Sequence, residues 1–261
     1  MDLSKFTKNG KFLMLALDHR GSFKKLMDPV NPESVTDEQV ISLKNEIIEA
    51  LKDQFSSLLI DDKLGLEACH EVCKVKPYLL PLEKSSHTGI AEIEYIAAEL
   101  KDLGASGAKI LIDFNPGDEN SGKQLEIASE VVADCMASDF PLFLEIVTHN
   151  EGLVTQSVNE FLGEGIEPSV WKLEYPGSED KSREITDMVG ETPWILLTGG
   201  KDYETFKNSL KEAVQGGAKG FLAGRALWQE VCTMKGEEKN KFLKETLPDR
   251  FRKVSEIISK S

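Results

Sequence analysis

Lys109, Glu145 and Lys172 stand inside runs that are otherwise apolar: AKILIDF (108–114), LFLEIVT (142–148) and VWKLEY (170–175). Asp18 and Asp61 close two further runs of the same kind, FLMLALD (12–18) and SLLID (57–61). A charge buried without a partner is costly, so each of these groups is paired, placed at a rim, or used. Two lysines and several carboxylates converging on one cavity suit covalent catalysis with proton transfer. Desolvation and a neighbouring cation favour the neutral form of a buried lysine. A neutral amine attacks a ketone and forms an iminium, which draws electrons from a nearby carbon–carbon bond while a carboxylate moves the protons. In this reading Lys172 forms the imine and no other cofactor is needed. Glu145 and Asp18 handle protons, and Lys109 is the neighbouring cation. The competing reading is a structural ion pair between Lys172 and Glu145 on outward strand faces.

A second group of residues suits an anion. Thr198-Gly199-Gly200-Lys201 follows the apolar run WILLT, and Ala223-Gly224-Arg225 ends the run GFLAG. Glycines let backbone N–H groups approach an oxyanion closely, and Arg225 adds a charge-assisted contact. Tight turns and a solvated arginine are the plainer explanation, but two such loops together favour phosphate. Asp18-His19-Arg20-Gly21 ends the first run and places Arg20 to hold a second anionic group or to pair with a rim carboxylate.

These residues need a scaffold that brings strand ends together. Eight short apolar runs read as strands: Phe12–Asp18, Ser57–Asp61, Tyr78–Glu83, Ala108–Phe114, Leu142–Thr148, Val170–Tyr175, Trp194–Thr198 and Gly220–Gly224. Between them, Asp37–Leu51, Ile90–Leu103, Lys123–Met136, Val154–Leu162 and Tyr203–Val214 have the apolar spacing of helices with one buried face, and a last helix runs from Lys239 to about Ile258. Glycines at 104, 163, 165 and 216–217 mark several helix ends. Met27–Val35, with Pro29 and Pro32, is the one long irregular segment. Strict alternation with near-continuous apolar strands implies an α/β fold with a parallel, helix-covered sheet. Eight units in 261 residues predict a single (β/α)8 TIM barrel spanning 1–261. An open doubly wound sheet is second, because no G-x-G-x-x-G follows the first strand. Strand side chains alternate, so in a barrel one set points inward and charges belong near the C-terminal end.

Bulk properties narrow the partners. The net charge of −14 opposes a nucleic-acid or anionic-membrane surface, while a local positive pocket can still take a small phosphorylated substrate. The N-terminus MDLSKFTKNGKF contains no apolar leader and no run is long enough for a bilayer, so a cytoplasmic protein is expected. Barrels with exposed helical faces often form homo-oligomers. Cys69, Cys73, Cys135 and Cys232 are expected to stay reduced in that compartment. Cys69-His70-x-x-Cys73 has no second ligand cluster to complete a zinc site. The four histidines, His19, His70, His87 and His149, form no recognisable metal-ligand pattern, so no metal is expected and a metal-dependent aldolase is disfavoured. A sugar-phosphate isomerase or epimerase, and a non-catalytic sugar-phosphate sensor, remain as alternatives on the same barrel.

The chain also resembles a known family. LALDHRG (15–21), SLLIDDKLG (57–65), PLEK (81–84), AKILIDF (108–114), PLFLEIVT (141–148), WKLE (171–174), PWILLTGG (193–200) and GFLAGRALW (220–228) are similar, in the same order, to class I tagatose-1,6-bisphosphate aldolases. They also resemble the domains that cleave 2-deoxy-5-keto-gluconate 6-phosphate, and the sulfofructose-phosphate aldolases. The LIDD and GIEPSVWKLE segments resemble the former domains most. The resemblance implies a metal-independent TIM-barrel aldolase that releases dihydroxyacetone phosphate. It puts the Schiff-base lysine at Lys172, the catalytic glutamate at Glu145, the first-strand aspartate at Asp18 and the second lysine at Lys109. It puts phosphate at Thr198–Gly200 and Ala223–Arg225, and the far anionic end of the substrate near Arg20; His19 and Asp61 are further candidate substrate-binding residues. His19 replaces the usual glutamine of the tagatose enzymes, and the segment between strands 5 and 6 is short.

Overall fold

The computed structural model describes residues 1–85 and 89–260. Eight parallel strands close in chain order: β1 Phe12–Leu17, β2 Ser57–Ile60, β3 Tyr78–Pro81, β4 Gly107–Asp113, β5 Leu142–Val147, β6 Val170–Leu173, β7 Trp194–Leu197 and β8 Gly220–Ala223. β8 pairs back onto β1, which establishes the (β/α)8 barrel and rules out the open sheet. Closure needs Gly220: a Cβ there would lie 2.1 Å from the Phe12 carbonyl oxygen.

The helices are α1 Gly21–Met27, α2 Asp37–Leu51, α3 Gly65–Ala68, α4 Ala97–Asp102, α5 Ser121–Ala137, α6 Val154–Gly163, α7 Glu179–Val189, α8 Tyr203–Gln215, α9 Arg225–Trp228, α10 Gly236–Lys241 and α11 Leu247–Ser259. Strand alternation divides the apolar residues into two cores. Phe6, Phe12, Met14, Leu59, Leu79, Phe143, Val170, Ile195 and Leu222 fill the barrel interior. Their strand neighbours, such as Leu15, Leu144, Trp171 and Leu196, pack outward with the helices. The interior is thus plugged from below with apolar side chains, where Ser57 donates to the Phe6 carbonyl, and the charged groups lie further along the strands.

Three elements differ from the sequence reading. The helix expected over Ile90–Leu103 begins only at Ala97, because the chain before it folds back on the end of β3. Glu94 donates its N–H to the Leu82 carbonyl, and Glu83 and Ile93 form a β-bridge. α7 went unread because EDKSREITDMV offers only Ile185, Met188 and Val189 as apolar residues; its buried face is completed by Ser182, and Ser178 caps its start. The last helix contains a π-helical stretch, Phe242–Thr246, just before Pro248, whose missing N–H interrupts the regular ladder.

α2 carries a charge on its buried face. Thr36 and Gln39 form a capping box at its start, and Val40, Leu43, Ile47, Ile48 and Leu51 are buried beside Lys44. Lys44 is fully enclosed and pairs with Asp61. Asp61 also accepts the backbone N–H groups of Lys63 and Leu64. This corrects its expected place among the substrate-binding residues. Asp61 shares the parity of inward-facing Leu59, but β2 ends at Ile60 and the chain turns there, sending the carboxylate to α2. Asp61→Asn should destabilise the fold by about 3–5 kcal/mol, because it leaves the Lys44 ammonium buried without its counter-charge. Urea unfolding checks this. Unchanged stability with lost activity would return Asp61 to the catalytic machinery.

The cysteine expectation is also corrected. Cys69 and Cys73 are joined in a disulfide. They lie four residues apart on a helical turn, with Cys73 N–H bonded to the Cys69 carbonyl and Cα atoms 5.5 Å apart, within reach of a bridge. The sequence reading argued from compartment and not from this local geometry. Cys135 and Cys232 are free and buried. Among the described residues no helix is long and apolar enough to cross a membrane.

Candidate active site

A cavity of about 410 Å³ opens at the C-terminal end of the barrel. Strand register explains its floor. Glu145 of β5 and Lys172 of β6 are direct partners across the ladder, so their inward side chains must meet. Lys172 Nζ lies 2.6 Å from Glu145 Oε2. Lys109 of β4 reaches the same oxygen from the other side at 3.3 Å. It also lies 2.5 Å from Glu83 Oε1 and 3.6 Å from Asp18 Oδ2. Lys109, Lys172, Glu145 and Glu83 are all buried.

The electrostatics of this cluster follow from its geometry. Burial opposes charge on Lys109, but Glu83, Glu145 and Asp18 outweigh it and raise its pKa, so it stays an ammonium. Burial pushes Asp18 up, yet Lys109, His19 and Lys172 carry it well below the ordinary carboxylate range. Glu145 moves down for the same kind of reason: burial is overcome by Lys172 and Lys109. Glu83 goes the other way, since burial prevails over its contact with Lys109. Lys109 was expected to act on Lys172 as a bare neighbouring cation. Three surrounding carboxylates neutralise it instead, and Glu145 lies between the two lysines.

Around this floor, Asp18, His19, Arg20, Thr198, Gly199, Gly224 and Arg225 line the cavity as expected. Gly200 and Ala223 do not. Ala223 is buried in β8, and Gly200 supports Arg225 from behind: a Cβ there would lie 3.2 Å from the guanidinium. Gly199 and Gly200 both have positive φ, at 55° and 73°, a conformation that favours glycine. α9 is tied to β1 by the Trp228 indole N–H, which donates to the Ala16 carbonyl, so the loop bearing Arg225 is fixed relative to Asp18.

Sequence reasoning missed four contributors. Glu83 lies two residues beyond Pro81, with its inward parity but past the end of β3. Glu174 continues the parity of Lys172 one residue past the end of β6. Its Oε2 accepts the N–H groups of Thr148 and His149 and the Thr148 hydroxyl. That grip holds His149, at φ 55°, over the cavity, where its ring lies 3.1 Å from Asp113. Period-two alternation points to Asp113 within β4 and, carried past the strand ends, to Glu83 and Glu174; His149 has no such signal. His87 lies outside the described residues.

Three buried polar atoms of cavity residues have no hydrogen-bond partner: His19 Nδ1, Arg20 Nε and Glu83 Oε2. Buried polar atoms are normally satisfied, and such atoms at a cavity wall suit a polar ligand. His19 packs against the Trp228 ring, and burial pushes its pKa down to about 4 against the attraction of Asp18. An unfolded histidine titrates near 6.5, so between these values the unfolded chain takes up a proton that the folded one refuses. The stability contributed by neutral His19 is present above the unfolded value and is lost as pH falls towards about 4. Urea midpoints measured near pH 7 and about pH 5 should therefore drop further in the wild type than in His19→Asn. Equal drops would show that the ring charges freely in the folded protein.

Among the described residues no group of three His, Cys, Asp or Glu side chains is placed to hold a metal ion. The floor of the site is an amine beside a carboxylate, Lys172 and Glu145, with Arg225 and two glycine-bearing loops on the neighbouring strands.

Known proteins are similar to this chain in sequence or in fold. Residues 12–230 match the family model described as DeoC/LacD family aldolase. A tagatose 1,6-diphosphate aldolase of Staphylococcus aureus is 29% identical, over 86% of this chain and 83% of its own length. Two solved structures superpose on nearly the whole fold. A Schiff-base-forming fructose-1,6-bisphosphate aldolase has a TM-score of 0.68 at 19% identity, covering 98% of this chain and 97% of its own. An archaeal fructose 1,6-bisphosphate aldolase has a TM-score of 0.69 at 18% identity, covering 99% and 98%.

Proposed function

The chain belongs to the DeoC/LacD family of aldolases, and on that premise we propose that it cleaves a phosphorylated ketose or keto-acid through an imine on Lys172, releasing dihydroxyacetone phosphate and an aldehyde. As an aldolase it is a carbon–carbon lyase. The observation that carries the choice of Lys172 is its position on the floor of the barrel cavity, 2.6 Å from Glu145. The substrate class includes tagatose 1,6-bisphosphate, named for the Staphylococcus aureus relative, and 2-deoxy-5-keto-gluconate 6-phosphate.

The first step transfers a proton from Lys172 Nζ to Glu145 Oε2, freeing the amine to attack the substrate ketone carbon. The neutral carbinolamine leaves Glu145 beside one cation instead of two, which strengthens its hold on that proton. Glu145 then gives the proton to the departing hydroxyl, water leaves and the iminium forms. A carboxylate takes the proton of the hydroxyl on the carbon beyond the breaking bond; Asp18 and Glu83 are the groups on that side of Lys109. That carbon becomes the aldehyde, and the electron pair of the broken bond passes into the enamine. Protonation of the enamine carbon and addition of water to the iminium return the lysine and release dihydroxyacetone phosphate. Thr198, Gly199, Gly224 and Arg225 hold the phosphate.

The experiment is to incubate the protein with dihydroxyacetone phosphate in EDTA, reduce with borohydride and find the modified peptide by mass spectrometry. An adduct on Lys172 is expected. Absence of an adduct on folded protein would move the assignment to a sugar-phosphate isomerase or a non-catalytic sensor, neither of which needs an imine.

A further inference from the structure

Two parts of the cavity rim carry different kinds of polar group. At the β7–β8 end, Arg225 forms no ion pair among the described residues and rests on Gly200, beside the positive-φ Gly199. A guanidinium in this state can meet a phosphate with its full charge. Beyond the ends of β1 to β3, the cations already hold carboxylates. Arg20 lies 3.5 Å from Asp62 and 3.7 Å from Glu94. Asp62 is itself fixed by the Tyr95 hydroxyl at 2.7 Å, and Glu94 is also near Lys63. Across the mouth, His149 is held against Asp113.

A phosphate dianion brought to Arg20 must compete with two carboxylates and sit close to them, where like charges repel. A hydroxyl group meets no such obstacle. It donates and accepts, so it fits a cation–carboxylate pair by bonding to both members. The buried Arg20 Nε, which has no partner, is a further donor on the same wall.

We propose that this site takes a substrate with a single phosphate, on the ketone side, and that the aldehyde half is an unphosphorylated hydroxyaldehyde read by Arg20–Asp62–Glu94 and His149–Asp113. This rests on the assignment of Lys172 and of the phosphate cradle, and it narrows the substrate class to one that differs from a 1,6-bisphosphate. Asp62 and Glu94 are specificity-determining residues because they occupy the guanidinium that a second phosphate would need.

The test runs the reaction in the bond-forming direction. On one sample dihydroxyacetone phosphate is trapped on the enzyme with borohydride; on a separate, unreduced sample kcat/KM is measured for D-glyceraldehyde and for D-glyceraldehyde 3-phosphate as acceptors, with dihydroxyacetone phosphate as the donor. The unphosphorylated acceptor should be favoured by about ten-fold, and the double variant Asp62→Asn/Glu94→Gln should move that ratio about ten-fold towards the phosphorylated one. Preference of the wild type for the phosphorylated acceptor, or a ratio unmoved in the double variant, overturns the proposal while a Lys172 adduct leaves the aldolase assignment standing. Failure to trap any adduct overturns that assignment, and this proposal with it.

Discussion

Lys172→Met is expected to abolish cleavage, with a loss on the order of 10⁵-fold or more, because the covalent step is lost and the other lysines lining the cavity among the described residues, Lys84 and Lys109, are held by carboxylates. Methionine keeps most of the length and apolar packing of the lysine stem, so the fold should survive. The charge left behind is accommodated too: Glu145 retains Lys109 at 3.3 Å when Lys172 is removed. Lys109 itself does not rescue the reaction. It is held as an ammonium by Glu83, Glu145 and Asp18, and an ammonium has no lone pair to attack a ketone. The measurement is a cleavage assay beside a thermal unfolding curve. A folded variant with near-wild-type turnover would reduce Lys172 to one half of a structural ion pair.

Glu145→Gln should lower kcat by about 10²–10⁴-fold, the usual contribution of a positioned proton-transfer group. The amide keeps the size of the side chain and can still contact Lys172, but it cannot carry the proton through carbinolamine dehydration. The loss should therefore fall on kcat with little change in KM, the mark of an interaction used in the transition state and not in binding. The pH profile gives an independent check. Lys172 and Lys109 hold Glu145 below its ordinary pKa despite burial, so it stays a carboxylate as pH falls through the usual glutamate range. Any acid limb in the wild-type profile that belongs to Glu145 lies below that range and should vanish in the variant. An unchanged rate would make Glu145 structural.

These two residues were readable in advance because a strand repeats every two residues and β5 and β6 are in register. An ionisable group at an inward position of an apolar strand breaks a pattern that the sequence itself displays. The same rule failed at Asp61, since β2 stops one residue earlier and the chain turns there towards α2. It also left Glu83 and Glu174 unremarked, although both continue the inward parity of Pro81 and Lys172. Glu94 was placed on a helix; the backbone pairing of 92–94 with the end of β3 is what turns it towards Arg20.

The sequence by itself determined the alternating strands and helices, the barrel, the floor lysine with its glutamate, and the glycine loops proposed to receive an anion. Each depends on short-range periodicity or on the conformations open to one residue type. Tertiary structure alone decided which carboxylate neutralises which cation: Asp61 with Lys44, Asp62 and Glu94 with Arg20, and three acids around Lys109. Such pairings join residues far apart in the chain. They depend on distances set by barrel closure and by the paths of the loops, to which no local pattern is sensitive.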